Sequence, residues 1–171
     1  MAILDIVQFP DQRLREVCKP VEKIDNRVKQ LLNDMAETMY DAPGVGLAAS
    51  QVGVLERLIV IDLGVDEEAE RTARLYKIIN PEIVSRDGKI VHEEGCLSIP
   101  SIREKVTRSA ELTVKALNEE GKEIEIVAEG LLAVCLQHEI DHLNGVLFID
   151  HLSQIKKELV KNKLKKLAQN K

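Results

Sequence analysis

Aromatic residues are scarce in this chain: no tryptophan, two tyrosines and two phenylalanines among 171 residues. A platform that stacks the bases of single-stranded nucleic acid needs several aromatic faces, so the composition argues against that role, and nothing in it points to specific DNA binding. Leucine, isoleucine and valine must build the core instead. Cysteine is sparse as well, and three is an odd number that does not suit a disulfide framework. The simplest compartment for free thiols is a reducing cytoplasm. No apolar run approaches the length of a membrane span. The opening stretch MAILDIVQFPDQRL carries Asp5 and Asp11 and no basic region, so it does not read as a signal peptide. What remains is ordinary globular composition, 44% apolar and 31% charged, and one domain over residues 1–171 is expected.

Charge is unevenly placed. Gln154 to Lys171 hold seven lysines and one acid, Glu158. That segment carries +6 in a chain of net charge −5, so the remainder carries −11. An acidic body with a basic tail points to a tail that meets something anionic. Leu152, Ile155 and Leu159 form one apolar stripe, and Val160, Leu164 and Leu167 form a second about a quarter turn round. Residues 152–170 are therefore expected as a basic C-terminal helix.

Asn26 to Tyr40 read as a helix, with Val28, Leu31, Leu32, Met35 and Met39 on one face. Asp25 or Asn26 can cap its start, and Pro43-Gly44 lies beyond its end. GVGLAASQVG, residues 44–53, is too rich in glycine for a regular element. RLIVIDL, Arg57 to Leu63, is a candidate buried strand. Gly64 to Arg74 is polar and acidic and is expected as a surface loop. IINPEIVSRDGKIVHEEGCLSIP reads as strands around an Asp87-Gly88 turn, and ELTVKAL and KEIEIVA as a hairpin around Glu119-Glu120-Gly121. Strands in a run, with helices at both ends and one inside, predict an α+β fold: antiparallel sheets around a central helix.

That central helix carries LLAVCLQHEIDHLNG, residues 131–145. His138 and His142 are four apart, share one helix face and can grip one ion. Glu139 lies one step from His138, placed to touch a metal-bound water without being a ligand. H-E-x-x-H is a pattern of metal-dependent hydrolases with the glutamate as general base; the bland alternative is two surface histidines and a solvated glutamate. A catalytic metal usually has three protein ligands and an open position, so a third ligand must come from elsewhere. Asp150 and His151 lie just downstream, with a helix-cap or surface role as the alternative. Upstream, Cys96 in EGCLSIP offers a thiolate, a strong ligand for zinc or ferrous iron. Cys18 and Cys135 are poorer candidates, and Cys135, three before His138, reads as pocket wall or core.

GVGLAASQVG, EGCLSIP and QHEIDH, in this order, resemble the three signature motifs of the peptide deformylases. Those are a G-x-G-φ-A-A-x-Q loop with φ apolar, an E-G-C-φ-S strand end and a Q-H-E-x-D-H helix, and all three are intact here. The likeness covers nearly the whole chain, through FPDQRLR, INPEI and LNGVLFID, and the long C-terminal helix resembles bacterial forms that carry one. Ser50 stands where proline is common before the glutamine, but Gln51 itself remains.

The resemblance implies that Cys96, His138 and His142 hold one divalent metal. Ferrous iron is the ion expected from the family, with Zn2+, Ni2+ or Co2+ able to substitute, whereas ligand chemistry alone favours zinc. It implies removal of the N-formyl group from the formylmethionine of nascent polypeptides in the cytoplasm, with release of formate. Glu139 would take a proton from the attacking water and pass it to the leaving amine. The amide of Gln51 and the backbone N–H of Leu97 would donate to the oxyanion, and losing one such donor typically costs ~10²–10³ in rate.

The carbonyl of Gly46 would meet substrate backbone as an added edge strand does, and Gly44 either leaves room for it or makes a tight turn. A methionine pocket would have Val45, Leu131, Val134 and Cys135 as walls, Gly95 beside it, and Glu94 and His92 at the rim. His92, Glu94 and Cys96 share a strand face. Since a fourth protein ligand would close the site, His92 reads as an exposed strand histidine. Asp141 either pairs with Arg108 or Arg103 and steadies the site, or is solvated.

For the basic tail, the readings are a helix packed on the body with a solvated lysine face, or docking to ribosomal RNA where formylated chains emerge. Two rivals differ in class. A metallopeptidase would cleave unformylated peptides; a ribosome-associated protein with a structural metal would need a fourth protein ligand and no Glu139.

Overall fold

The computed structural model describes residues 2–64 and 75–169. The acidic loop expected over Gly64 to Arg74 lies, apart from Gly64, outside them. Helix α1 spans Asn26–Asp41, and its start is capped as expected: the Asp25 carboxylate accepts the Val28 N–H at 3.1 Å. Val28, Leu32, Met35 and Met39 are fully buried.

The glycine-rich stretch that follows is more regular than its composition suggests. Gly46–Ala48 forms a short strand, β1, and Ala49–Val52 a 3-10 turn. Strand β1 pairs antiparallel with β2, Leu58–Ile61, through Gly46 opposite Ile61 and Ala48 opposite Ile59. Glycine lowers strand propensity, but main-chain pairing needs no side chain, and the pairing prevails. All four residues of β2 are buried because both faces of the sheet are covered here. Leu58 and Val60 pack with the apolar face of α1, whereas Ile59 and Ile61 pack with Leu136, Ile140 and Leu143 of the central helix.

One sheet runs in the order β1-β2-β3-β6-β7, all antiparallel, with β3 at Tyr76–Asp87, β6 at Glu111–Leu117 and β7 at Glu123–Glu129. The second holds β4, Ile90–Cys96, and β5, Ile99–Arg108. The Asp87-Gly88 turn is present, with Gly88 at φ +66°. Its two strands nevertheless part: β3 stays with β2 and β6, while β4 pairs with β5. A turn signal fixes a reversal of the chain but not the partner, and β3 already has neighbours on both edges. The second hairpin forms as expected, with Leu117 opposite Glu123 and Gly121 at φ +80°.

Helix α2, Gly130–Leu143, is buried nearly all round from Ala133 onward, as a helix enclosed between layers must be. Its Gln137 amide is fastened to the link between β5 and β6: Nε2 donates to the Ser109 carbonyl and Oε1 accepts the Ser109 N–H, both at 2.9 Å. After a 3-10 turn at Phe148–His151 comes α3, Gln154–Gln169. Leu152 and Val160 are buried and Leu164 packs beside them, but Ile155 and Leu159 are exposed. Only part of the two expected stripes therefore meets the body. No helix among the described residues is long and apolar enough to cross a membrane.

Candidate active site

Three donor atoms converge where the end of β4 meets α2. Cys96 is the last residue of β4, and a register shift between Gly95 and Cys96 breaks the regular ladder just before it. His138 and His142 are buried on α2. The Cys96 sulfur lies 3.4 Å from His142 Nε2, and the two Nε2 atoms are 3.3 Å apart. This is the only such group among the described residues that could hold a metal ion, its ligand atoms lying within 4.8 Å of one another. One sulfur and two imidazole nitrogens suit a zinc or ferrous centre. Burial, then the neighbouring His138, pushes the His142 pKa well below the usual imidazole range, favouring the neutral form that ligates. For His138, burial works the other way from the net effect: the charge of Glu139 and bonds to Cys96 and Glu94 raise its pKa. A cation here would compete with that proton.

The remaining ring nitrogen of His138 has the partner that metal-binding histidines usually show: Nδ1 lies 2.8 Å from Glu94 Oε1. Glu94 borders the cavity, but its side chain is 4% exposed and faces Arg108, which gives Nε and Nη2 at 2.9 and 2.8 Å. Burial would push this carboxyl up, but the hydrogen bonds from Arg108 and then His138 outweigh it and hold its pKa at about 2. Arg108 Nη1 reaches Asp141 at 2.5 Å. Asp141 therefore pairs with Arg108, while Arg103 pairs with Glu93 at 2.9 Å. The two downstream alternatives for a third ligand are engaged elsewhere. Asp150 binds Arg15 and the Leu147 N–H, and His151 meets Asp141.

Glu139 sits beside this group with its Oε1 buried and unmatched by any protein donor. Burial, only partly opposed by His138, raises its pKa to about 7. Its other oxygen packs against Gly46, where a Cβ would come within 2.5 Å of Oε2, so a side chain at residue 46 would have to displace this carboxylate. Gln51 is fully buried. Its Oε1 accepts the Ala48 N–H at 3.0 Å, which leaves Nε2 aimed at Ser98 Oγ, 3.1 Å away, and Cys96 sulfur, 3.4 Å away. Leu97 packs across from Gly44, where a Cβ would lie 2.8 Å from Leu97 Cδ1.

A cavity of about 540 Å³ opens beside these groups. Gln51, Cys96, Leu97, His138 and Glu139 reach it, and so do Val45, Gly46, Glu94 and Gly95. Leu131, Val134 and Cys135 of α2 line it too. Burial, then the charge of Glu139, pushes the Cys135 pKa up to about 12, so this thiol behaves as an apolar wall. His92 lines the cavity and is half-buried, not an exposed strand residue; it stands outside the donor group.

Sequence reasoning passed over three contributors. Ser98 meets Gln51, Gln137 anchors α2, and Phe148 stacks on the His138 ring at 5.9 Å between centroids and 24° between planes. All three stand inside quoted stretches, Phe148 within LNGVLFID, but nothing local marks which side chain each would touch.

Residues 3–158 match the family model described as polypeptide deformylase. The chain is 54% identical over 168 residues to peptide deformylase 1 of Burkholderia multivorans, covering 98% of this chain and 90% of that one. A crystal structure of a peptide deformylase from Legionella pneumophila is 51% identical, superposes with a TM-score of 0.89 and covers 98% of this chain and 96% of its own. One from Ehrlichia chaffeensis is 40% identical with a TM-score of 0.92, covering 99% and 98%. On that likeness, and on motifs folded into a single cleft, the chain belongs to the peptide deformylase family, metal-dependent hydrolases that remove the formyl group from N-formylmethionyl polypeptides.

Proposed function

We propose that Cys96, His138 and His142 hold the catalytic ion, that Glu139 moves the proton, and that Gln51 Nε2 and the Leu97 N–H receive the oxyanion. The observation that carries this reading is the convergence of one sulfur and two imidazole nitrogens at the wall of a cavity that Glu139 also lines. A divalent ion held by these three side chains would supply Lewis acidity and a water of lowered pKa. The native ion is Fe2+, with Zn2+, Ni2+ or Co2+ as substitutes; a thiolate-bearing ferrous centre is open to oxidation at Cys96.

Glu139 accepts the proton of the attacking water at a carboxylate oxygen and returns it to the leaving amine nitrogen. Burial with no protein donor at Oε1 raises the proton affinity of this carboxylate and favours its taking the proton. Val45, Leu131, Val134 and Cys135 take the methionine side chain, and the backbone of Gly46 and Gly95 aligns the peptide. Glu94 serves indirectly, by orienting His138. The chain works as one domain in the cytoplasm on nascent formylmethionyl polypeptides. Its basic helix α3, whose Ile155 and Leu159 remain exposed beside the lysines, docks on the ribosome. Salt-sensitive ribosome binding that survived removal of everything after Ser153 would refute the docking.

The decisive experiment measures formate release from formyl-Met-Ala-Ser, with anaerobic metal analysis, for the wild type and Glu139→Ala. The variant is expected to keep its metal and lose ~10²–10⁴ in rate. Undiminished activity would remove Glu139 from the chemistry. Cleavage of unformylated peptide bonds by the wild type would favour the peptidase reading instead.

A further inference from the structure

The buried ion pairs behind His138 reach the surface. Arg108 and Glu94 are 4% exposed in their side chains, Asp141 is 22% and His151 is 38%. His151 Nε2 lies 2.9 Å from Asp141 Oδ2 and 3.3 Å from Arg108 Nη1. One nitrogen cannot donate and accept at once. A carboxylate oxygen only accepts and a guanidinium only donates. The shorter, charge-assisted contact therefore places the proton on Nε2, directed at Asp141. Two donors, from Arg108 and His151, then converge on the same Asp141 oxygen, and that oxygen is what keeps them together. With Nη1 held there, the guanidinium has Nε and Nη2 left to face Glu94, whose Oε1 is also the partner of His138 Nδ1.

The short turn that bears His151 touches His138 by a second route. Phe148, at the other end of Phe148–His151, stacks on the His138 ring. One four-residue turn thus meets this imidazole on its face directly and at its Nδ1 edge through three intervening side chains.

We propose that His151 is a positioning residue for the His138 imidazole, acting through Asp141, Arg108 and Glu94, so that the turn Phe148–His151 clamps the ring in its orientation towards the metal site. The inference rests on His138 being a metal ligand, as read above. It concerns a group outside the donor set and outside the cavity.

The test uses the full chain loaded with Zn2+, in three variants: His151→Phe, His151→Gln and Cys96→Ala. Zn2+ affinity is measured by chelator competition, and the exchange of the His138 Nδ1 proton by nuclear magnetic resonance. Partners directly behind a metal-bound histidine are worth ~10–100-fold in affinity, and a residue further out carries less, so His151→Phe is expected to weaken Zn2+ binding ~3–10-fold. Exchange of the Nδ1 proton should quicken in the same variant. His151→Gln, which can present an amide N–H to Asp141, should restore both. Wild-type affinity and exchange in His151→Phe would overturn the proposal. So would equal losses in the Phe and Gln variants, which would reduce the residue to packing. Zn2+ affinity untouched by Cys96→Ala would overturn the ligand reading beneath it, and this inference with it.

Discussion

Replacing Arg108 by methionine keeps much of the side chain's apolar bulk and removes the guanidinium. Glu94 then loses two hydrogen bonds and Asp141 loses one. Because the Arg108 and Glu94 side chains are each 4% exposed, water cannot readily take over. Removing one partner of a buried ion pair costs ~3–5 kcal/mol, chiefly through the charge left behind. Proton linkage gives a similar size. The Glu94 pKa falls from an ordinary 4.5 to about 2 in the folded chain. At about 1.4 kcal/mol per tenfold change in proton affinity, this corresponds to roughly 3 kcal/mol near neutral pH, shared between Arg108 and His138.

For a chain of this length the loss should lower Tm by roughly 6–20 °C. The pH dependence has a definite sign. A depressed folded-state pKa contributes stability that is complete above 4.5 and lost as pH falls towards about 2. The wild type should therefore lose stability across that window, and Arg108→Met should lose much less there, having already lost it at neutral pH. Chemical denaturation of the metal-free chain at neutral pH and through the acid window measures both. Adding Glu94→Gln to Arg108→Met should recover part of the loss, since the stranded charge is gone. A cost below ~1 kcal/mol at neutral pH, the size of an exposed pair, would refute the reasoning.

Gly46→Ala should reduce formate release ~10²-fold while the chain still folds, because a Cβ at 2.5 Å from Glu139 Oε2 must displace that carboxylate; wild-type kinetics would show that the approach is not restrictive. Burial, then a hydrogen bond to Asp62, pushes the Tyr40 phenol up to about 12. Its contribution is complete below pH 10 and lost as pH rises through about 12, so Tyr40→Phe should flatten the alkaline fall in stability, and an unchanged slope would count against it. Thiol labelling near neutral pH should modify Cys96 alone in the metal-free chain and nothing in the metal-loaded one. Burial raises the pKa of both Cys18 and Cys135, and mass mapping of a label on either would contradict this.

Local periodicity made α1, the β6–β7 hairpin and the shared face of His138 and His142 legible in the sequence, because each depends on residues a few positions apart. Alternation along β4 put Glu94 and Cys96 on one face but said nothing about depth, and the Glu94 carboxylate is buried against His138 and Arg108 as well as bordering the cavity. The third donor was undecided from residues alone: Cys96, Asp150 and His151 all had suitable chemistry, and the family motifs favoured the first. Asp150 is taken by Arg15, a residue 135 positions away, which no local pattern could reveal. The same holds for β3 and β4, whose turn was readable and whose partners were not. Apolar stripes on α3 were readable too, but which of them is covered depends on the surface that the turn Phe148–His151 presents.

Two carboxylates flank His138, and their surroundings push them apart. Glu94 collects donors from Arg108 and His138 and stays ionised down to a pKa of about 2. Glu139 is equally buried but receives no protein donor at Oε1, and its pKa rises to about 7. A group whose hydrogen bonds are all satisfied by protein holds its neighbour still and has little reason to change protonation state. A group left short of donors gains and loses a proton at little cost near neutral pH. Divergence of this kind between adjacent acids is a physical basis for assigning their roles. It supports the proposed roles of Glu94 as anchor and Glu139 as proton carrier, and it predicts that adding a donor within reach of Glu139 Oε1 would lower its pKa and slow formate release. The pH–rate profile of such a variant would show its acid limb displaced to lower pH; an unmoved limb would mean that another group sets it.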